Sequence, residues 1–79
     1  MRKKRRRILV VDDEQDIITS FKIGLEETGL FEIDGFTDPQ LALSNVEKFG
    51  LSHYDLLLID VKMPQMSGFE LYQQIKKLL

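Results

Sequence analysis

The sequence predicts an α/β fold, with a parallel sheet of three strands and three helices packed on its faces. Residues 8–11 (ILVV) and 56–59 (LLLI) are short, wholly apolar runs, which is typical of strands buried on both faces of a parallel sheet. The segments that follow them carry apolar residues at helical spacing. This β-α-β-α-β-α alternation indicates parallel strands joined by right-handed crossovers.

The first unit is the strand over residues 8–11 and the helix that follows it. The strand ends in an acidic run, and we expect Asp16 or a neighbour to open the helix and Gly29 to stop it. The apolar stripe of that helix is expected to comprise Ile17, Ile18, Phe21 and Leu25.

The second unit begins with residues 31–34, where apolar and polar residues alternate as in a half-exposed edge strand. Asp38 and Pro39 are suited to the N-cap and first position of a helix, and Gly50 is expected to end it. The buried stripe predicted for this helix consists of Leu41, Ala42, Val46 and Phe49.

The third unit is the strand over residues 56–59 and a final helix. The Met63-Pro64 pair stops the strand, because proline cannot donate to a sheet ladder. Ser67 and Glu70 have the spacing of a capping box that opens the helix. Its apolar positions, Leu71, Ile75 and Leu78, continue it to the last residue.

Composition restricts the class of protein. Seventy-nine residues make one domain at most, and a chain of this size is marginally stable. There is no cysteine, which excludes disulfides and thiolate zinc sites. The longest apolar runs have four residues, far below a membrane span, and no signal peptide follows the basic start. We therefore expect a cytoplasmic protein without a membrane partner.

The charges are distributed unevenly. Six of the 11 Lys and Arg lie in residues 2–7, so the remaining chain carries 5 basic against 13 acidic residues. The acidic body argues against a nucleic-acid-binding face on the folded part. Two interpretations of the run from Arg2 to Arg7 stay open: a solvated leader that aids solubility, or an electrostatic arm for nucleic acid or another polyanion.

Three aspartates follow the two apolar strands. If these strands are neighbours in a flavodoxin-like 2-1-3 order, Asp12, Asp13 and Asp60 meet at the carboxyl edge of the sheet, where such folds bind ligands. Carboxylates this close repel one another unless a cation joins them, and Mg²⁺ suits oxygen ligands and phosphate. The alternative is an acidic helix start that favours the helix dipole, which leaves Asp60 unexplained.

Such a pocket suits phosphoryl transfer. A carboxylate can act as a nucleophile toward phosphorus and form an aspartyl-phosphate, while a metal neutralises charge on the transferring group. Asp60 is the better nucleophile, because it leaves a rigid strand alone. Asp12 and Asp13 are better metal holders.

Four stretches carry a specific pattern: residues 10–14 (VVDDE), 37–43 (TDPQLAL), 55–60 (DLLLID) and 63–71 (MPQMSGFEL). This pattern resembles the receiver domain of response regulators in two-component signalling. The acidic pair and the D-x-x-M-P-x-x-x-G loop are its most specific parts. The resemblance runs from about Arg7 to Leu79, so residues 1–7 are assigned as a basic leader and residues 8–79 as a partial receiver domain.

The resemblance implies a function and a set of site residues. Asp60 would be the phospho-acceptor. Asp13, Asp60 and the main-chain carbonyl of Lys62 would bind Mg²⁺ directly, and Asp12 through water. The phosphoryl donor would be a histidine of a partner kinase or phosphotransfer protein, or a small acyl phosphate. No independent enzymatic turnover is expected, since the module accepts a group and does not cycle.

The sequence also departs from the family pattern, because it holds three of the five β/α units. The fourth-strand Ser or Thr, the fifth-strand Lys and the aromatic switch residue have no counterparts. We therefore expect a truncated flavodoxin-like receiver that is impaired in switching. Its third strand would form an exposed edge open to self-association, and part of the apolar stripe of the first helix would be exposed. The alternative function is a non-phosphorylated interaction or assembly fragment.

Other residue types are assigned ordinary roles. His53, the only histidine, is expected in the loop before the third strand, solvated and remote from the acids. Met63 and Met66 are interpreted as loop packing, and Tyr54 and Tyr72 as packing or surface residues. A nucleotidase is excluded because no G-x-x-x-x-G-K-[ST] loop is present.

Overall fold

The computed structural model describes residues 4–78, and these residues form the predicted alternation of strands and helices. Residues 1–3 of the leader and Leu79, with which the third helix was predicted to end, lie outside the described residues. The elements are β1 (Arg6–Val11), α1 (Gln15–Glu26), β2 (Phe31–Phe36), α2 (Pro39–Phe49), a 3-10 turn (Leu51–His53), β3 (Leu56–Ile59) and α3 (Gly68–Lys76).

The three strands form one parallel sheet in the order β2-β1-β3, as predicted. Val11 lies opposite both Phe36 of β2 and Ile59 of β3, so the carboxyl ends of all three strands are level. Each strand therefore runs toward the same edge of the sheet. The truncated flavodoxin-like arrangement expected from the sequence is confirmed.

β1 begins at Arg6, two residues earlier than predicted. The amide of Arg6 donates to the carbonyl of Leu30 at 2.9 Å, and the guanidinium of Arg7 pairs with Glu32 at 2.8 Å. These contacts extend the ladder into the basic run, because charged side chains are tolerated at the solvated end of a strand. The last two residues assigned to the leader thus belong to the sheet.

The core lies on both faces of β1, because successive side chains of a strand point to opposite faces. Leu9 and Val11 pack with α2 and α3 residues, whereas Ile8 and Val10 pack with Ile18 of α1. These four residues of β1 are all buried. The central strand is therefore anchored from both sides, and its carboxyl end is held rigidly.

The predicted helix boundaries depend on caps, and the structure contains them. The Asp38 carboxylate accepts from the amide of Gln40 at 2.9 Å at the start of α2. The reciprocal capping box between Ser67 and Glu70 opens α3. Gly29 and Gly50 follow α1 and α2 with φ of 77° and 85°, a region that favours glycine.

Several predicted burial assignments were wrong. Leu41 and Phe49 are 59% and 53% exposed, so the buried stripe of α2 reduces to Ala42 and Val46. α2 packs on α3, β2, the 3-10 turn and the core side chains of β1, and Leu41 and Phe49 stay exposed beside this packed face. β3 forms an edge of the sheet, as expected, but its side chains are half-buried or exposed rather than buried on both faces, and Leu56 is 49% exposed.

The apolar face of α1 is partly uncovered, as expected. Ile17 and Phe21 are exposed, whereas Ile18 is buried against the sheet. α3 ends at Lys76, earlier than predicted, so Leu78 lies beyond the helix and is exposed. Among residues 4–78, no helix has the length and apolar character needed to cross a membrane.

Candidate functional site

The carboxyl ends of β1 and β3 bring the three predicted aspartates together. Val11 pairs with Ile59, and the amide of Asp60 then donates to the carbonyl of Val11 at 2.9 Å. On the other side, the amide of Asp12 donates to the carbonyl of Phe36 at 3.1 Å. Both aspartates are therefore fixed by sheet hydrogen bonds at the point where their strands end.

One carboxylate oxygen from each of Asp12, Asp13 and Asp60 lies within 4.8 Å of the other two. Asp12 and Asp60 are half-buried, and Asp13 is exposed. The predicted convergence of the three acids is thus confirmed. We refer to these three residues as the acidic site.

The acidic site fits a small hard cation. Three carboxylates crowded at this spacing repel one another, and an oxygen-bound divalent ion relieves that repulsion. The exposure of Asp13 leaves room for the waters that Mg²⁺ retains when proteins bind it. Lys62 lies in the turn that follows, and its amide approaches Oδ1 of Asp60 at 3.4 Å.

Asp12 also organises the start of α1. Its Oδ1 accepts a hydrogen bond from the amide of Glu14 at 2.9 Å, the geometry of an Asx turn. Glu14 is the N-cap residue but makes no side-chain cap of its own. The alternative interpretation, an acidic helix start, therefore describes part of what Asp12 does, but Asp60 belongs to a different strand.

Gly68 fixes the start of α3 against the end of β3, a role that the sequence analysis did not identify. A Cβ built on Gly68 would lie 2.2 Å from the carbonyl oxygen of Asp60. The amide of Gly68 donates to the carbonyl of Val61 at 2.9 Å. Any side chain here would push the helix away from the backbone that carries Asp60. The sequence did contain a signal for this contact: Gly68 is the first residue of the helix inside the capping box, a position that does not itself require glycine.

A second polar cluster lies in the layer between the sheet and α2. The Tyr54 hydroxyl donates to Oδ2 of Asp34 at 2.5 Å and accepts from the amide of Asn45. Burial, and then the hydrogen bond to Asp34, raise the pKa of Tyr54 to about 12. Tyr54 is buried, as the packing interpretation predicted. Its polar partners lie 9 and 20 residues away in sequence, so no local pattern indicated them.

His53 lies in the 3-10 turn before β3, at the amino end of the sheet and away from the acidic site, as predicted. It is not simply solvated, however. The ring is half-buried and stacks on Phe49 with 5.4 Å between centroids. Met63 and Met66 pack against the core, which confirms their assignment as loop packing.

Comparison with known proteins agrees with this architecture. The sequence profile described as "Response regulator receiver domain" matches residues 8–78. The regulatory protein VanRc of Enterococcus gallinarum is 38% identical over 71 residues, which are 90% of this chain and 29% of VanRc.

Two solved structures of one Thermotoga maritima protein are also similar. Response regulator protein TrrA in complex with Mg(2+)-BeF is 40% identical, with a TM-score of 0.77. TrrA in complex with histidine kinase ThkA is 43% identical, with a TM-score of 0.73. In both cases the match covers 91% of this chain and 59% of the solved chain.

The chain thus spans less than a third of VanRc and about six-tenths of the TrrA chains. Within that span the strand order, the paired acids that follow β1 and the acid that follows β3 are all in place. The profile match covers nearly the whole sequence. The chain belongs to the response regulator receiver domain family of two-component systems.

Proposed function

We propose that this chain accepts a phosphoryl group on Asp60 in a Mg²⁺-dependent reaction. The observation that carries the proposal is the convergence of Asp12, Asp13 and Asp60 within 4.8 Å at the end of a parallel sheet. The similarity to TrrA, which was solved in complex with Mg(2+)-BeF, supports the same assignment. Asp60 is half-buried at a strand end, so its carboxylate is positioned by the sheet.

The reaction is a transfer from a phosphohistidine or an acyl phosphate to Asp60. A carboxylate oxygen of Asp60 forms a bond to phosphorus, and the phosphorus–nitrogen bond of a phosphohistidine breaks. The departing imidazole nitrogen keeps the electron pair and takes a proton from solvent. With an acyl phosphate, the phosphorus–oxygen bond breaks and the acyl group leaves as a carboxylate. Bound Mg²⁺ would supply charge neutralisation on the phosphoryl oxygens, where most of the catalysis of such transfers lies.

The metal ligands in this proposal are Asp13, Asp60 and the main-chain carbonyl of Lys62, with Asp12 bound through water. Asp13 is the exposed member of the acidic site, and Lys62 lies two residues beyond Asp60 in the same turn. Asp12 already accepts a hydrogen bond from Glu14, and this leaves it less free to move toward the ion.

The partner in this proposal is a sensor histidine kinase or a phosphotransfer protein. Support comes from TrrA, which was solved in complex with histidine kinase ThkA. The chain would then act in the cytoplasm. It would consume one phosphoryl group per molecule without independent turnover, and so would not be an enzyme in its own right.

We further propose that residues 1–79 alone accept the group but switch poorly. The sequence holds three of the five β/α units of the family, and the residues that respond to the phosphoryl group belong to the other two. The exposed apolar edge of β3 supports self-association of such a chain, because unpaired strand edges pair with other chains.

The second candidate is an interaction or assembly fragment that is never phosphorylated. The exposed apolar residues of β3 and α1, including Leu56, Ile17 and Phe21, favour it. Such surfaces mark contacts with other chains. In that case the acidic site would be a remnant of the fold with no reaction of its own.

Phosphate-mimic binding separates the two candidates. Beryllofluoride with millimolar Mg²⁺ should shift the amide resonances of Asp13, Asp60 and Lys62, and Asp60→Asn should abolish the shifts. Asp38→Asn removes the same charge from the same edge of the sheet and keeps a good N-cap, so it should leave them intact. Unchanged resonances in the parent chain would favour the assembly fragment.

A further inference from the structure

A basic groove lies at the amino ends of the strands, at the opposite edge of the sheet from the acidic site. It is lined by residues 4–7, Phe49, Ser52, His53 and Asp55. Four consecutive basic residues thus line the groove together with two aromatic residues and a single acid. Because strand side chains alternate, Arg7 lies on the α2 face of β1, beside Phe49, and Arg6 lies on the α1 face. β1 separates the two ends of the molecule, and its six residues span roughly 20 Å.

The charges of the basic groove are only partly balanced. Glu32 pairs with Arg7 at 2.8 Å and lies 3.9 Å from Arg5. Asp55 uses one carboxylate oxygen to accept from the main-chain amide of Arg7. Within residues 4–78, Lys4 and Arg6 have no carboxylate within ion-pair distance. Clustered like charges repel one another, so an anion in the groove would be stabilising.

The groove also presents an aromatic surface. The Phe49 ring is 53% exposed, although its spacing in α2 predicts burial. His53 stacks on it, and the Lys48 ammonium lies 5.3 Å from the ring centroid. An exposed ring beside cations is the combination with which proteins bind single-stranded nucleic acid, because each unstacked base offers a π-face.

We propose that the basic groove binds single-stranded nucleic acid that crosses the amino edge of the sheet, with phosphates on Lys4 and Arg6 and a base against Phe49. A duplex would keep its bases stacked and would leave the ring unused. An anionic membrane surface would contact protruding apolar residues, whereas Phe49 lines a concave groove. This proposal does not depend on phosphoryl acceptance at Asp60.

Fluorescence anisotropy of a labelled oligothymidylate of about 12 nucleotides tests the proposal with the 79-residue chain. Raising KCl from about 50 mM to about 200 mM should weaken binding roughly tenfold if two to three phosphates are contacted. Lys4→Ser combined with Arg6→Ser should weaken binding by roughly tenfold or more at low salt. The control combines Lys76→Ser and Lys77→Ser, which removes the same charge at the carboxyl end of α3, and should weaken binding less than about twofold.

The aromatic contact has its own test. Phe49→Ala should weaken oligothymidylate binding by roughly fivefold or more, because a stacked base contributes about 1–3 kcal/mol. The same variant should bind inorganic polyphosphate as the parent does. In the parent chain, titration with oligothymidylate should shift the amide resonances of Ser52 and His53 and leave Asp60 unchanged, a readout that needs no variant to fold.

Four results would overturn the proposal. These are no binding at low salt, equal losses for the two double variants, unchanged binding by Phe49→Ala, and tighter binding to duplex DNA or to phosphatidylserine vesicles than to the single strand. Resonance shifts centred outside the basic groove would contradict it as well.

Discussion

The amide of Asp60 donates to the carbonyl oxygen of Val11 at 2.9 Å, one residue beyond the last pair of the parallel ladder. This hydrogen bond keeps Asp60 beside the acids that follow β1. The crowding of three carboxylates is therefore built into the sheet and does not depend on flexible loops.

Gly68→Ala should destabilise the protein by about 1–3 kcal/mol, because the new Cβ would collide with the main-chain oxygen of Asp60 and overpacking against backbone is costly. Gly24→Ala is the matched control, since nothing lies within 4 Å of a Cβ at this α1 position. It should stabilise the protein by about 0.5–1 kcal/mol. Urea unfolding measures both values, and equal effects would contradict the assigned contact.

Tyr54→Phe should lower the free energy of unfolding by about 1–2 kcal/mol at neutral pH, because Asp34 and Asn45 lose their shared partner. The folded-state pKa of Tyr54 is raised from 10.0 to about 12. The parent's advantage should therefore be constant below pH 10 and decrease as the pH rises from 10 to 12. Denaturant unfolding of both proteins at several pH values tests this, and a pH-independent difference would refute it.

Asp13→Asn should have opposite effects with and without metal. Without Mg²⁺ it relieves like-charge repulsion in the acidic site, and the free energy of unfolding should rise by a few tenths of a kcal/mol, or about 1 at most. In millimolar Mg²⁺ the parent should be the more stable protein, because metal binding stabilises the folded state. Thermal unfolding with EDTA and with Mg²⁺ gives both comparisons. The same ranking in both buffers would argue against a metal site.

Leu56→Lys should reduce self-association, because a charge on β3 opposes edge-to-edge pairing. Leu56 is 49% exposed on the open edge of the sheet. Leu41→Lys makes the same change on the exposed face of α2 and should leave association unchanged. Sedimentation equilibrium reports the outcome, and a parent chain that remains monomeric would contradict the proposed edge pairing.

The sequence was sufficient to predict the order of elements and the acidic site. Apolar runs that end in acid identify β1 and β3, and parallel pairing then requires their carboxyl ends to meet. The start of α2 was also predictable, because the Asp38 cap is a local contact. The sequence therefore predicted the helix caps, which are local contacts, and the features that follow from the alternation of strands and helices.

The sequence did not predict three contacts or exposures that depend on the packing of distant elements. The spacing of Phe49 fits an apolar stripe, but this last residue of α2 is 53% exposed and stacks on His53 of the 3-10 turn. The contact between Gly68 and Asp60 appears only when α3 meets β3. The hydrogen bond from Tyr54 to Asp34 joins residues 20 apart, and nothing local in the sequence indicates it.

If Asp12, Asp13 and Asp60 form one cation site, paramagnetic Mn²⁺ should bind there and broaden the resonances of nearby nuclei. At substoichiometric Mn²⁺, the amide resonances of these three residues and of Lys62 should broaden first, and excess Mg²⁺ should restore them. Broadening centred on another acidic region, such as Glu26 and Glu27 at the end of α1, would show that the three aspartates do not form the cation site. So would a spectrum that Mn²⁺ leaves unchanged.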